Sequence, residues 1–299
     1  MASPKKSIVV EITSSCPNRC YNCFIPNKNI FMKAKDLSKI LKKIPDIEES
    51  VIIFSGGEPL IHPELKELIL AVNEITQFKS YLLTSGAIPY NLHPLKSLIS
   101  GIVVSIKYSN DIDDDMFKGT RNAHQNALKL LRQAKKLGLA LQINWVMDSL
   151  NKHNYIDIIK IAKEFDADLN ILKFIDYDDD FQRRISLKEF EEISLLAKKY
   201  GRKIKAKVNV FFPCKWSSGY SCTFGINRAK LDVLGNFHGC IYSAQSHGNL
   251  LKEGYKKVEE RMNEYIVKNY IKRKCLVEEK INNQRAKTED KLANLINNR

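Results

Sequence analysis

Three cysteines stand close together near the start of the chain, in Cys16-Pro17-Asn18-Arg19-Cys20-Tyr21-Asn22-Cys23. Their C-x3-C-x2-C spacing sets a claw of thiolates on one loop. Soft sulfur donors at this spacing suit a [4Fe–4S] cluster. A structural zinc usually takes four protein ligands in paired knuckles, and no second knuckle lies nearby. Three ligands on a four-iron cube leave one iron open to another molecule. A second chemical feature follows the apolar run Val51-Ile52-Ile53-Phe54, where Ser55-Gly56-Gly57-Glu58-Pro59 reads as a strand ending in a glycine turn with one carboxylate.

In this order, about one βα unit apart, the two motifs resemble those of the radical S-adenosylmethionine (SAM) superfamily. The resemblance implies a cluster on Cys16, Cys20 and Cys23 whose open iron takes the methionine moiety of SAM. It further implies reductive cleavage to a 5′-deoxyadenosyl radical that abstracts hydrogen from an unactivated C–H bond, with an external electron donor such as flavodoxin or ferredoxin. It puts Tyr21 beside the adenine, Gly56 and Gly57 at the SAM amino group with Glu58 nearby, and Ser105 and Asn144 at the ribose and carboxylate. Taken singly, Tyr21 also reads as a loop aromatic covering the cluster, Glu58 as an exposed carboxylate, and Ser105 and Asn144 as polar strand ends; within Gly-Gly-Glu-Pro, Glu58 reads as functional. Two positions depart from the family pattern. Lys107 stands where many relatives have Asp, and Thr84-Ser85-Gly86 replaces Thr-Asn-Gly.

The elements that must hold these residues follow from periodicity. Buried strands are expected at residues 7–13, 51–54, 81–83, 102–106, 141–146 and 169–175. Helices are expected at 34–44, 65–70, about 95–99, 123–137, 155–165 and 187–200, with Gly138 and Gly201 ending two of them. The acidic run 111–115 reads as a loop. Six β–α repeats with short connections argue for parallel strands. The family's fold is a partial (β/α)6 TIM-like barrel, and chemistry in such barrels sits at the C-terminal strand ends. The cysteine loop, Gly56–Glu58, Ser105, Asn144 and Asp176 all fall there.

Beyond residue 202 the pattern changes. An alternating strand at 203–210 precedes Cys214, Cys222, Cys240 and Cys275, and a β-hairpin is expected around Leu234-Gly235-Asn236. Cys222, Gly235 and Cys240 form C-x12-G-x4-C. This resembles the twitch extension, a shortened SPASM domain holding an auxiliary [4Fe–4S] cluster, and implies that the four cysteines ligate one. Four-thiolate zinc has the same spacing. The expected division is a radical SAM partial barrel at 1–201, a twitch domain at 202–280, and a charged helix or mobile tail at 281–299.

Composition excludes other classes. Seven cysteines with no secretory signal argue for metal binding in a reducing cytoplasm rather than disulfides. No apolar run reaches membrane-spanning length. The net charge of +14 invites nucleic acid, but lysines interleaved with glutamates, as in Lys256-Lys257-Val258-Glu259-Glu260, read as solvated helix faces. His124, His153, His238 and His247 form no metal-spaced pair, and the 176–180 acidic run reads equally as substrate cradle or solvated loop. The resemblance leaves three functions. One is oxidation or dehydrogenation of a small molecule with the auxiliary cluster as electron acceptor, and another is modification of a ribosomal peptide or protein. The third is a non-enzymatic electron-transfer or regulatory protein. A first cluster cysteine at residue 16 leaves no room for a preceding leader-binding domain, and the tail lacks the terminal Gly-Gly of the molybdenum-cofactor GTP cyclase.

Overall fold

The computed structural model describes residues 6–21, 23, 25, 28–175, 182–211, 228–241, 243 and 245–270. In chain order they form β1 (Lys6–Thr13), α1 (Ala34–Leu41), β2 (Ser50–Gly56), α2 (Leu65–Asn73), β3 (Ser80–Thr84) and β4 (Ile99–Ser105). Next come α3 (Asp111–Lys118), α4 (Ala123–Lys136), β5 (Ala140–Met147), α5 (Tyr155–Phe165), β6 (Asp168–Lys173) and α6 (Leu187–Lys203). The last are β7 (Val208–Phe211), β8 (Arg228–Leu231), β9 (Phe237–His238) and α7 (Tyr255–Tyr270). One sheet takes the order β7-β6-β5-β4-β3-β2-β1-β8-β9. Every neighbouring pair is parallel except β8–β9. The sheet is a partial barrel that does not close. Among the described residues no helix is long and apolar enough to cross a membrane.

The two-residue period of a strand sorts the side chains into two faces. Ile8, Val10, Ile12, Ile52, Phe54, Ile102, Val104, Ile143, Trp145 and Ile171 belong to one buried cluster with the helices. That helix-facing layer is close to continuous aliphatic, as a parallel sheet covered by helices requires. The alternate residues face the concave side, and they are mixed in polarity. Gln142, Asn144 and Asn170 lie there with Val9, Ile53, Leu83 and Val103.

Three local expectations change, and a fourth is met with an addition. Residues 111–115 are the start of α3 rather than a loop. Asn110 caps it by accepting from Asp113 N at 2.9 Å, and Asp111, Asp113 and Asp114 sit in the first turn, where the helix dipole favours acids. The helix expected near 95–99 is a single 3-10 turn, His93–Leu95, containing Pro94. α6 passes through Gly201, where a Cβ would lie 2.5 Å from a methyl of Val208. That contact lets β7 pack tightly as a seventh parallel strand. Finally, the expected hairpin is β8–β9, with Lys230 opposite His238, yet β8 also pairs parallel to β1 and so extends the same sheet.

Candidate active site

The cysteine loop leaves β1 and returns beside it. Ser14 N donates to Ile30 O at 3.0 Å, and the Thr13 hydroxyl donates to the same carbonyl at 2.9 Å. Between these anchors the loop docks on the end of α3. Arg19 N donates to Lys118 O at 2.9 Å and Tyr21 N to Phe117 O at 3.2 Å. Those carbonyls lie in the last turn, where a helix has acceptors to spare. Thr120 Oγ1 adds a hydrogen bond to Asn18 Oδ1 at 2.8 Å.

Cys16 and Cys20 are half-buried and Cys23 is exposed. Burial pushes the Cys16 thiol up to about 12, helped by the Glu58 carboxylate and the two other cysteines, with an Asn18 backbone N–H opposing. Burial raises Cys20 too, against the pull of Lys107 and Lys118. Thiols so placed ionise when a cationic metal centre binds them. Among the described residues no three His, Cys, Asp or Glu side chains converge on a single-ion site. The donor set, soft sulfur with cations close by, fits an iron–sulfur cluster.

The Gly56-Gly57-Glu58 turn lies directly against this loop. Gly57 N donates to Thr13 O at 2.8 Å and Glu58 N to Ser15 O at 2.9 Å. A Cβ on Gly57 would lie 2.1 Å from Ser15 O, and one on Gly56, at φ +126°, 2.2 Å from Thr13 O. The close approach that demands glycine is therefore to the chain's own cysteine loop. Glu58 is wholly buried rather than exposed. Its Oε1 accepts from Leu60 N at 3.2 Å and Thr84 Oγ1 at 2.6 Å, and its Oε2 from Ser85 N at 3.0 Å and Ser85 Oγ at 2.5 Å. The carboxylate thus ties the end of β2 to the end of β3.

Periodicity gave no sign of a second brace. Lys118, 1% exposed, donates to Asp114 Oδ2 at 2.7 Å and to Ser85 O at 3.3 Å. Asp114 Oδ1 accepts from Lys107 N at 2.7 Å and Tyr108 N at 3.1 Å. Despite its burial, the Asp114 carboxyl is held down at about 2 by the His124 and Lys118 contacts and the backbone donors. One polar chain therefore joins the ends of β2, β3 and β4 to the helix that carries the cysteine loop. Arg183 is the other addition. Its guanidinium lies 4.7 Å from the Tyr21 ring centroid and 5.0 Å from that of Phe117, and it donates to Tyr108 Oη at 2.9 Å and Asp148 Oδ2 at 2.8 Å. Tyr21 is 58% exposed beneath it.

Ser105 ends β4 and is the register partner of Asn144, which lies within β5, three residues before its end, rather than at the strand end. Asn144 and the strand centres around it line a concave cavity of about 440 Å³. Beyond the barrel, Cys240 follows β9 as a half-buried thiol. Cys214, Cys222, Cys275 and the acidic run 176–180 lie outside the described residues.

A sequence profile of the Radical SAM superfamily matches residues 10–165. The PqqA peptide cyclase of Bradyrhizobium diazoefficiens is 28% identical over 171 residues, covering 54% of this chain and 44% of that protein. The GTP 3′,8-cyclase of Staphylococcus aureus (strain bovine RF122 / ET3-1) is 25% identical over 275 residues, covering 81% of this chain and 80% of the enzyme. SuiB of Streptococcus suis, solved with S-adenosylmethionine bound, superposes with TM-score 0.72 at 17% identity, covering 86% of this chain and 65% of SuiB. The chain thus spans less than two thirds of SuiB and under half of the peptide cyclase.

Proposed function

This chain belongs to the radical SAM superfamily, and from that premise we propose that it abstracts hydrogen from an unactivated C–H bond of a substrate held in the concave cavity. SAM and its [4Fe–4S] cluster are the family's shared equipment, and when bound they supply reductive cleavage of SAM and the hydrogen abstraction itself. The chain's own residues do the positioning. Cys16, Cys20 and Cys23 would hold the cluster. Gly56 and Gly57 fix the loop that carries those cysteines, and Glu58 locks the adjoining strand ends. Ser105, at the end of β4, and Asn144, within β5, would face the ribose and carboxylate of SAM. Tyr21, under Arg183, would cover the adenine side.

One observation carries this reading: three cysteines on a loop braced by a glycine turn and a buried ion pair, in a sheet whose concave face also holds a cavity of ligand size. About 300–1,000 Å³ is usual for small-molecule sites. The size favours a small molecule, and the proposed outcome is its oxidation or dehydrogenation. Modification of a peptide is the second reading, favoured by the likeness to a peptide cyclase. For residues 202–280 we propose a twitch-like unit in which Cys214, Cys222, Cys240 and Cys275 ligate an auxiliary [4Fe–4S] cluster that accepts the second electron. The β8–β9 hairpin with Cys240 at its end supports it. A flavodoxin or ferredoxin in the cytoplasm would supply the reducing electron.

The test is anaerobic. Reconstituted protein given dithionite and SAM should release 5′-deoxyadenosine and methionine even without substrate, and a Cys16/Cys20/Cys23→Ala triple variant should release neither. Equal release from the triple variant would end this reading. A wild-type protein that takes up iron yet never cleaves SAM would favour a non-enzymatic cluster protein instead.

A further inference from the structure

We propose that the concave cavity seats an oxyanion of the substrate, a carboxylate or phosphate, on Arg228 and Lys198. The inference rests on the cavity being the substrate site of the proposed reaction, and it adds the chemical class of what fits there.

The lining is asymmetric. Val9, Ile53, Leu83 and Val103 make one wall apolar. Opposite them an amide ladder crosses β5, β6 and β7. Asn170 Nδ2 donates to Gln142 Oε1 and to Asn144 Oδ1 at 3.0 Å each, and Asn170 Oδ1 accepts from Asn209 Nδ2 at 3.1 Å. With their oxygens engaged, Gln142 and Asn144 have N–H groups left to offer. An acceptor-rich ligand suits them.

Charge points the same way. The charged residues among the cavity's described lining are Lys198 and Arg228, and no Asp or Glu accompanies them. The nearest acid on the concave face of β1, Glu11, is already matched to Lys230 at 3.3 Å. Arg228 is held in place, its guanidinium 5.5 Å from the centroid of the Phe211 ring. A guanidinium stacked on an aromatic keeps its in-plane donors available for a bidentate oxyanion. Arg228 is exposed and Lys198 half-buried, so both can reach a ligand anion that enters beside the apolar wall and supplies their counter-charge.

The experiment uses the anaerobically reconstituted full chain and two probes, phenyl phosphate and phenylacetate, titrated calorimetrically with phenylethanol as the neutral control. At least one anion should bind saturably, identifying the oxyanion, while the alcohol should not. Arg228→Gln and Lys198→Gln should each weaken binding about tenfold, the size of one charge-assisted hydrogen bond, and Arg228→Lys should recover part of the loss. Lys198 lies half-buried on α6 outside the apolar core, so its substitution reports charge rather than folding. Failure of both anions to bind, equal binding of phenylethanol, or unchanged affinity in both Gln variants overturns the proposal. A wild-type protein that binds the anions but does not cleave SAM would sink the functional reading and leave the anion site standing. The reverse result would do the opposite.

Discussion

Glu58 accepts four hydrogen bonds, and a carboxylate has about four lone-pair sites to offer. Each of its oxygens takes one backbone N–H, Oε1 from Leu60 and Oε2 from Ser85. In Glu58→Gln the new NH2 group would therefore face donors that cannot turn away. Thermal unfolding should show a loss of about 1–3 kcal/mol, and a variant as stable as wild type would remove Glu58 from its bracing role. Asp114 makes a different, pH-dependent contribution. Its carboxyl titrates near 3.8 unfolded and at about 2 folded, so the stabilisation is complete above the unfolded value and is lost as pH falls toward the folded one. About 2 kcal/mol should disappear across that window. Urea unfolding of the cluster-free chain from pH 5 downward should show this slope, and Asp114→Asn should flatten it. Parallel slopes would mean another carboxylate carries the effect.

At the level of elements, the cysteine loop depends on the turn packed beneath it. A methyl at Gly57 would press on the Ser15 carbonyl, so Gly57→Ala should displace the loop and lower cluster iron by up to about four atoms per chain. Retained iron with lost SAM binding would instead put the glycine against SAM. What the sequence made legible was local. The cluster cysteines declare themselves by spacing, the strands by apolar runs, and the β8–β9 turn by Leu234-Gly235-Asn236, where Asp232 Oδ1 accepts from Leu234 N and Asn236 N at 2.9 Å each. The α3 segment was obscured because its acidic first turn looks like a solvated loop, although Asn110 three residues before Asp113 is a capping signal. Lys118 and Arg183 were not legible at all. Lys118 reaches Ser85, 33 residues away, and Arg183 reaches Tyr108, 75 residues away. No local pattern encodes such meetings, because they are created when strand ends gather at one rim of the sheet.

For the molecule as a whole, the open question is how many clusters one chain carries. If the proposed twitch-like unit holds a cluster, reconstituted protein should contain about eight irons per chain, against about four with the barrel cluster alone. Cys240→Ala should then remove about half, and an unchanged count would exclude Cys240 as a ligand. The sheet's incomplete closure bears on the same molecule in another way. β7 and β9 are the edge strands of the sheet, and among the described residues Arg228, at the start of β8, stacks on Phe211 at the end of β7. Backbone ladders resist widening because every pair of strands would lose its hydrogen bonds together, whereas a cation on a ring yields one contact at a time. Among the described residues, that cation–ring contact is the softer tie between β7 and β8. A lineage can retune that contact by exchanging two residues there, with the cysteine loop after β1 and its braces on β2, β3 and α3 left untouched.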